Sequence, residues 1–508
     1  MRLRRSMVPL SWPALAGFAI GALITAMGLP AVVDPDGESD VRSRAQLGIS
    51  DADGATGGSG AVGETGRASS SERGSGVQPA VNGTGGDERA TSDRSSPPVT
   101  GRGGASDVGV TEDSIKMGVL LLDIASATRI AGGLTGIDPE QQRRAVEAYV
   151  DDLNRRGGIV GRKVVPAFRT FDVLDADDQR AACYHLTRDE KVFAVIAAGG
   201  FSGPPILCIT KEHRTPLINL NSAGTPRQYV DQSEGMLFTL FQIADRQMAG
   251  WVSELDRMGA LRGKKIGILS DDSSDPGDLV VGPYLMRFLR ERGHQIVHRS
   301  RLDGDLAVGA SQINVEVQQM RSRGAEAVLL PAFSTYASQF VSAADRQGWH
   351  PKWYASDFSN MSSQAIAANM PDSFEGSLAS TVSRTGEESA GRTEPQVDAA
   401  CRALYEKATG ESLPRMKDGE YNNTYGTTLY NCGMISLFER AAKAAGPNLT
   451  REAFSAALQR LGAVSLPRFG GGSFAPGKFD ASDLVRTLRW HADCTCWKPA
   501  DEFHPTGG

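Results

Sequence analysis

At 508 residues, with 40% hydrophobic and 22% charged residues, the chain has the composition of a soluble globular protein. It is too long for one domain at about 100–200 residues each. Its 60 Asp and Glu outweigh 54 Lys and Arg for a formal charge of -6, with no dense basic run after residue 5. That argues against nucleic acid as a partner, because neutralising phosphates takes clustered cations.

Arg2, Arg4 and Arg5 precede an uncharged stretch, 6–33, whose most apolar part is 15–29. A positive start followed by an apolar run reads as an export signal. At about 20 residues the run is also long enough to span a bilayer. Segment 1–33 is therefore expected to be a signal peptide or a membrane anchor, and the chain's only membrane contact. Residues 34–107 are Gly, Ser, Asp, Thr and Arg with hardly an aromatic or long aliphatic. Such a segment cannot bury enough apolar surface to offset ordering entropy, so a flexible linker is expected, suited to tethering a folded body outside the cell. The first cysteine is Cys183, far from the apolar run, which argues against a lipid anchor.

Folded sequence is expected from about Thr111. Residues 115–122 form a nearly continuous apolar run, the mark of a parallel strand covered on both faces. A helix follows, with Asp138 as cap, Pro139 at its first position, Val146, Tyr149, Val150 and Leu153 at helical spacing, and Gly157 and Gly158 as its stop. Strands are predicted at 164–171, 192–198 and 216–220, with helices at 176–189 and 204–213 between them. The alternation restarts after Phe241: helices at 247–258, 279–292, 312–323 and 337–348, and strands at 265–269, 295–299, 327–331 and 353–355. Two successive units of this kind imply two doubly wound α/β lobes, with ligands bound outside the carboxyl ends of the strands in a shared cleft. The expected segments are 108–240 for the first part of lobe 1, 241–356 for the first part of lobe 2, 357–500 returning to both lobes, and a tail at 501–508.

Six cysteines allow 15 pairings by count alone. In a doubly wound lobe the helices carrying Cys183 and Cys208 are neighbours, and Cys401 and Cys432 lie on consecutive helices. The expected bridges are Cys183–Cys208, Cys401–Cys432 and, across one residue, Cys494–Cys496.

Asn154-Arg155-Arg156-Gly157-Gly158-Ile159-Val160-Gly161-Arg162-Lys163 closely resembles the turn between first helix and second strand of the branched-chain amino acid-binding family of type I periplasmic binding proteins. The likeness runs from Ser114 to near Cys496, and the ending at 477–491 looks like the family's final hairpin. The resemblance implies a solute-binding protein of an ABC importer, with permease subunits as partners and no cofactor. It also implies three hinge crossings, expected near 237–242, 356–360 and 375–381, on which the lobes close over the ligand.

The resemblance further implies site residues. The loop 199–204, with Ser202 and free N–H groups at a helix start, suits a carboxylate. Loop 221–226 would complete that site with Ser222, Gly224 and Thr225, although either hydroxyl could instead satisfy its own turn. Asp357 falls where the family often pairs an acid with a ligand ammonium; its alternative is a helix cap, for which Ser359 is the better candidate. Phe333 and Tyr425 fall at pocket positions, whereas Tyr336 and Tyr421 are aromatics of a kind more often found in cores. At 273–277 the family commonly has an aromatic before its glycine, and this chain has Asp275 and Pro276. Asp275, with Asp123 at the end of the first strand, points toward a ligand more cationic or hydroxylated than leucine.

Two other functions compete. A sensor that reports a ligand to a membrane partner would use the same two lobes. A serine hydrolase is suggested only by 199–205, which resembles G-x-S-x-G but has Pro204 where glycine is required, with His213 poorly placed as a base. No H-E-x-x-H or paired C-x-x-C supports a metal centre.

Overall fold

A computed structural model describes residues 104–125, 138–222, 224–272 and 277–507, which belong to one compact unit, Arg94–Gly508. The expected export segment 1–33 lies outside the described residues, as does the expected linker up to residue 103. Residues 104–107, assigned above to the linker, are part of the folded body. Ser106 donates to the Leu449 carbonyl at 2.6 Å, and the Asp107 carboxylate accepts the Arg451 N–H at 2.7 Å. Polar composition could not reveal those contacts, because their partners lie over 340 residues away.

Lobe 1 is built on β1 (Ser114–Asp123), buried on both faces from Met117 to Leu122. Helix α1 (Pro139–Arg155) starts where Asp138 accepts the Glu140 N–H. It ends in the Gly157-Gly158 turn, where a Cβ on Gly158 would lie 2.0 Å from the Arg162 carbonyl oxygen. Glycine is required there. Arg162, fully buried, donates to the carbonyls of Gly104, Thr111 and Pro447 and so fastens the start of the body. Then come β2 (Lys163–Asp172), α2 (Ala176–Tyr184), β3 (Ala194–Ala197), β4 (Leu217–Asn219), α3 (Arg227–Gln232) and β5 (Leu237–Thr239). All five strands are parallel, in the order β2-β1-β3-β4-β5.

Lobe 2 repeats the plan. It comprises α4 (Ala244–Arg257), β6 (Lys265–Asp271), β7 (Gln295–Leu302), α5 (Leu306–Ser322), β8 (Ala327–Leu329), α6 (Ser334–Arg346), β9 (Lys352–Ser356) and β10 (Leu378–Thr381). Its parallel strands run β7-β6-β8-β9-β10, the same order as in lobe 1. The chain then adds to the lobe 1 core α7 (Gln396–Thr409), the β11 (Met416–Lys417) and β12 (Glu420–Tyr421) hairpin, α8 (Asn423–Ala445), α9 (Arg451–Gln459), and the β13 (Gly462–Val464) and β14 (Gly472–Phe474) hairpin. It returns to lobe 2 as β15 (Leu484–His491), antiparallel to β10, followed by β16 (Cys496–Pro499) and β17 (His504–Pro505).

The crossings therefore fall at 240–243, 382–395 and 475–483. The first overlaps the expected 237–242 at 240–242, since 237–239 is β5 itself, and the other two lie elsewhere. Residues 356–360 stay within lobe 2, since β9 and β10 pair side by side, and 375–381 is mostly β10 itself. Likewise 477–483 is crossing chain, and the final hairpin is β15 with β16. Strand pairing sets these boundaries, and an apolar run does not state its neighbour. The first and third crossings are pinned together by Asp480. Its buried carboxylate accepts the Ile243 N–H at 3.0 Å ahead of α4, pairs with Arg246, and lies 3.2 Å from Lys478.

The six cysteines form Cys183–Cys208, Cys401–Cys432 and Cys494–Cys496, and none is free among the described residues. The second bridge joins α7 to α8 across 31 residues. Cross-linking a loop of that length restricts the unfolded chain, so Cys401→Ala with Cys432→Ala is expected to cost roughly 3–4 kcal/mol. Urea unfolding of the oxidised protein checks this, and an unchanged midpoint would count against it.

Candidate functional site: the cleft between the lobes

In an open doubly wound sheet the helices part to opposite faces where the strand order reverses, leaving a crevice at the carboxyl edge. Here that point lies between β1 and β3 in lobe 1 and between β6 and β8 in lobe 2. Buried side chains hold the bordering loops. Gln142 of α1 accepts the Leu122 N–H and donates to the Leu122 carbonyl, fixing the end of β1. Gln179 of α2 accepts the Ser202 N–H and donates to the Val173 carbonyl, both at 3.2 Å. In lobe 2 Asp271 accepts the Phe333 N–H at 2.6 Å and ties its two loops together. No sequence motif marks these three residues, whose one signal is a polar group on the inner face of a helix or at a strand end.

The two lobes touch at this edge. A Cβ on Gly224, whose φ is +79°, would sit 2.8 Å from the ring of Phe358. Leu279, from the π-helical Gly277–Met286, packs on the lobe 1 cluster around Phe201, Ile206 and Tyr229.

Of the residues expected to hold a carboxylate, Ser202 and Ser222 are partly exposed in their loops. Thr225 is fully buried, and its hydroxyl accepts from Asn221 at 3.4 Å, so it serves its own turn. Asp123 accepts the Ala125 N–H, and Asp275 lies outside the described residues. Phe333, partly buried, leans on the lobe 2 core at the start of α6. Tyr425, expected at a pocket position, sits deeper than the loops of the cleft edge. It is fully buried in the lobe 1 core and donates to Glu394 at 2.9 Å. Tyr336 is buried likewise, donating to the Asp303 carbonyl, whereas Tyr421 is partly buried beside Tyr425.

Asp357 is 3% exposed, and its oxygens accept from Ser362, from Thr381 at 2.6 Å and from the Val382 N–H at 2.8 Å. Burial pushes its carboxyl above the ordinary Asp range against those hydrogen bonds. Val382 opens the second crossing, so this geometry presents Asp357 as a hinge fastener rather than a free ammonium partner. It makes no cap bond, and Ser363 caps the short helix Gln364–Ala367 instead.

Beside the second crossing lies a buried ionic cluster. Arg468, 2% exposed, pairs with Glu388 at 2.5 Å and Asp398 at 3.5 Å, and its guanidinium lies 5.5 and 5.2 Å from the rings of Tyr421 and Tyr425. Burial pushes Glu388 up, but Arg468 and Arg415 more than offset this and hold it below the ordinary Glu range. A lowered folded pKa means its contribution is complete above about pH 4.3, the unfolded value, and is lost as pH falls through the folded one. The melting-temperature gap between parent and Glu388→Gln should therefore shrink as pH drops below about 4; a gap constant from pH 3 to 7 would contradict this.

Neither catalytic alternative gains support. The ring of His213 accepts a hydrogen bond from Arg188, and the His packs edge-on to Tyr184. Glu254, Asp501 and His504 lie close enough together to hold a metal, yet Arg257 already supplies a cation to both carboxylates. A groove of about 580 Å³ lies along the outer edge strand β7 with Arg290, Arg299 and Arg323, away from the strand ends that meet at the cleft.

A profile of the periplasmic binding protein family matches residues 114–491. The chain belongs to that family. Solved structures similar to this periplasmic binding protein include a periplasmic binding protein type 1 from Bordetella pertussis Tohama I, 17% identical, TM-score 0.59, covering 77% of this chain and 100% of its own. A leucine-binding protein from Thermotoga maritima MSB8 is 14% identical with TM-score 0.57, covering 77% and 99%. A solute-binding protein of an ABC transporter from R. palustris, in complex with 4-hydroxybenzoate, is 14% identical with TM-score 0.57, covering 78% and 98%. Among curated proteins compared by sequence, none matches. Family membership implies an extracytoplasmic location and a role in binding a solute. Among the described residues, no helix is long and apolar enough to cross a membrane.

Proposed function

We propose that this periplasmic binding protein captures a small amino acid-like or aromatic acid in the cleft, holding its carboxylate at Ser202 and Ser222, and delivers it to the permease subunits of an ABC importer. The observation that carries the reading is the pair of partly exposed serines in lobe 1 loops that abut lobe 2 through Gly224 and Phe358. Hydroxyls and loop N–H groups at strand ends favour an anion. Leucine and 4-hydroxybenzoate, named for two of the similar structures, share a carboxylate and little else. An amine, if the ligand has one, needs an acid other than Asp357, whose oxygens are engaged at the hinge. The activity is capture without turnover, and segment 1–33 tethers the protein at the outer face of the membrane or is removed on export.

Thermal-shift measurements with leucine, 4-hydroxybenzoate and their carboxamides test this. A ligand at 100 times its Kd stabilises by about 2.7 kcal/mol. Acids should raise the melting temperature and amides should not. Equal stabilisation by the amides would remove the carboxylate assignment, and consumption of a bound acid at enzymatic rates would remove the binding-only reading.

A further inference from the structure

The three disulfides differ in their surroundings. Cys183 and Cys208 are fully buried, and of the second bridge Cys401 is 7% exposed and Cys432 partly buried, both packed against the lobe 1 core. Cys494 instead stands exposed on the turn between β15 and β16, with Cys496 behind it at the start of β16. One residue, Thr495, lies between the two, and it is held at φ +45°. A β-branched side chain disfavours that left-handed conformation, so closing this ring opposes the local backbone preference.

Contacts other than the bridge also hold the hairpin. Leu488 to His491 pair with Pro499 to Cys496, Trp497 is buried against Phe374, and the Gln364 amide bonds both the N–H and the carbonyl of Trp497. A cross-link spanning so short a loop also constrains the unfolded chain least. The bond is thus exposed at its Cys494 sulfur, opposed by its own backbone, and contributes little to the fold, the combination that makes a disulfide labile.

We propose that Cys494–Cys496 is a thiol-exchange site, open to small thiols and to the dithiol of a redox partner, while the other two bridges stay closed in the folded protein. An incoming thiolate bonds to the exposed Cys494 sulfur as the Cys494–Cys496 bond breaks, and the electron pair leaves on Cys496, which takes a proton from water. A second thiolate attacks the mixed disulfide and releases Cys494. Two thiols are oxidised to one disulfide, and one protein disulfide becomes two thiols. The bound solute plays no part, so the site stands or falls independently of the cleft.

The test is timed reduction of the native, full-length protein with dithiothreitol, alkylation, and peptide mass mapping. Cys494 and Cys496 should become alkylated about a hundredfold faster than the other four cysteines, with the protein still folded. Cys494→Ser with Cys496→Ser should abolish the fast phase and move the melting temperature by less than about 2 °C. The proposal is overturned if all six cysteines react together, if Cys494 and Cys496 react only after denaturation, or if the double variant melts well below the parent.

Discussion

Replacing Arg468 with alanine is expected to destabilise lobe 1 by about 3–5 kcal/mol, because it strands two buried carboxylates. Glu388 and Asp398 have fully buried side chains, and Arg468 reaches both. Arg415, 3.4 Å from Glu388, is too few cations for two anions. The loss should appear as a fall of at least about 6 °C in melting temperature. The partner variant separates charge from packing. Arg468→Ala with Glu388→Ala removes one stranded anion with the cation and should be more stable than Arg468→Ala alone. If the single variant melted with the parent, the cluster would have no such role.

Asp357→Ala should cost about 3 kcal/mol, since it leaves the Ser362 hydroxyl and the Val382 N–H unpaired, and the Thr381 hydroxyl with Ser383 alone, in a site that water barely reaches. Asp357→Asn keeps one acceptor and the shape, and should recover part of that loss. Because Val382 opens the second crossing, the alanine variant should also loosen the hinge, raising hydrogen exchange at 381–383. The competing outcome is specific. An Asp357→Ala protein that is as stable as the parent but no longer binds a ligand would return the residue to the cleft.

The elements of both lobes were legible because apolar runs and helical spacing report burial locally. The strand at 115–122, the Asp138 cap and the restart after Phe241 are statements about neighbours in sequence. The route between lobes was not legible in the same way. That β15 inserts beside β10, and so moves the third crossing to 475–483, depends on a pairing about 100 residues apart. The site was legible as loops more than as residues. Ser202 and Ser222 stand where loop position puts them, whereas Thr225, Tyr425 and Asp357 were chosen by type and place in a motif. Thr225 serves its own turn through Asn221, the alternative that its loop already offered, whereas Tyr425 and Asp357 have partners that only the folded chain supplies, Glu394 and Thr381. Gln142, Gln179 and Asp271 were missed for the converse reason, as no motif marks a side chain whose work is to hold a backbone loop.

Calorimetry decides whether the loops carrying Ser202 and Ser222 hold a carboxylate at the cleft. The acid that best stabilises the parent should be titrated into the parent and into Ser202→Ala with Ser222→Ala, at matched pH and salt. Loss of two hydrogen bonds to a charged group predicts binding roughly ten- to a hundredfold weaker with the fold unchanged; an equal affinity in the double variant would place the ligand elsewhere.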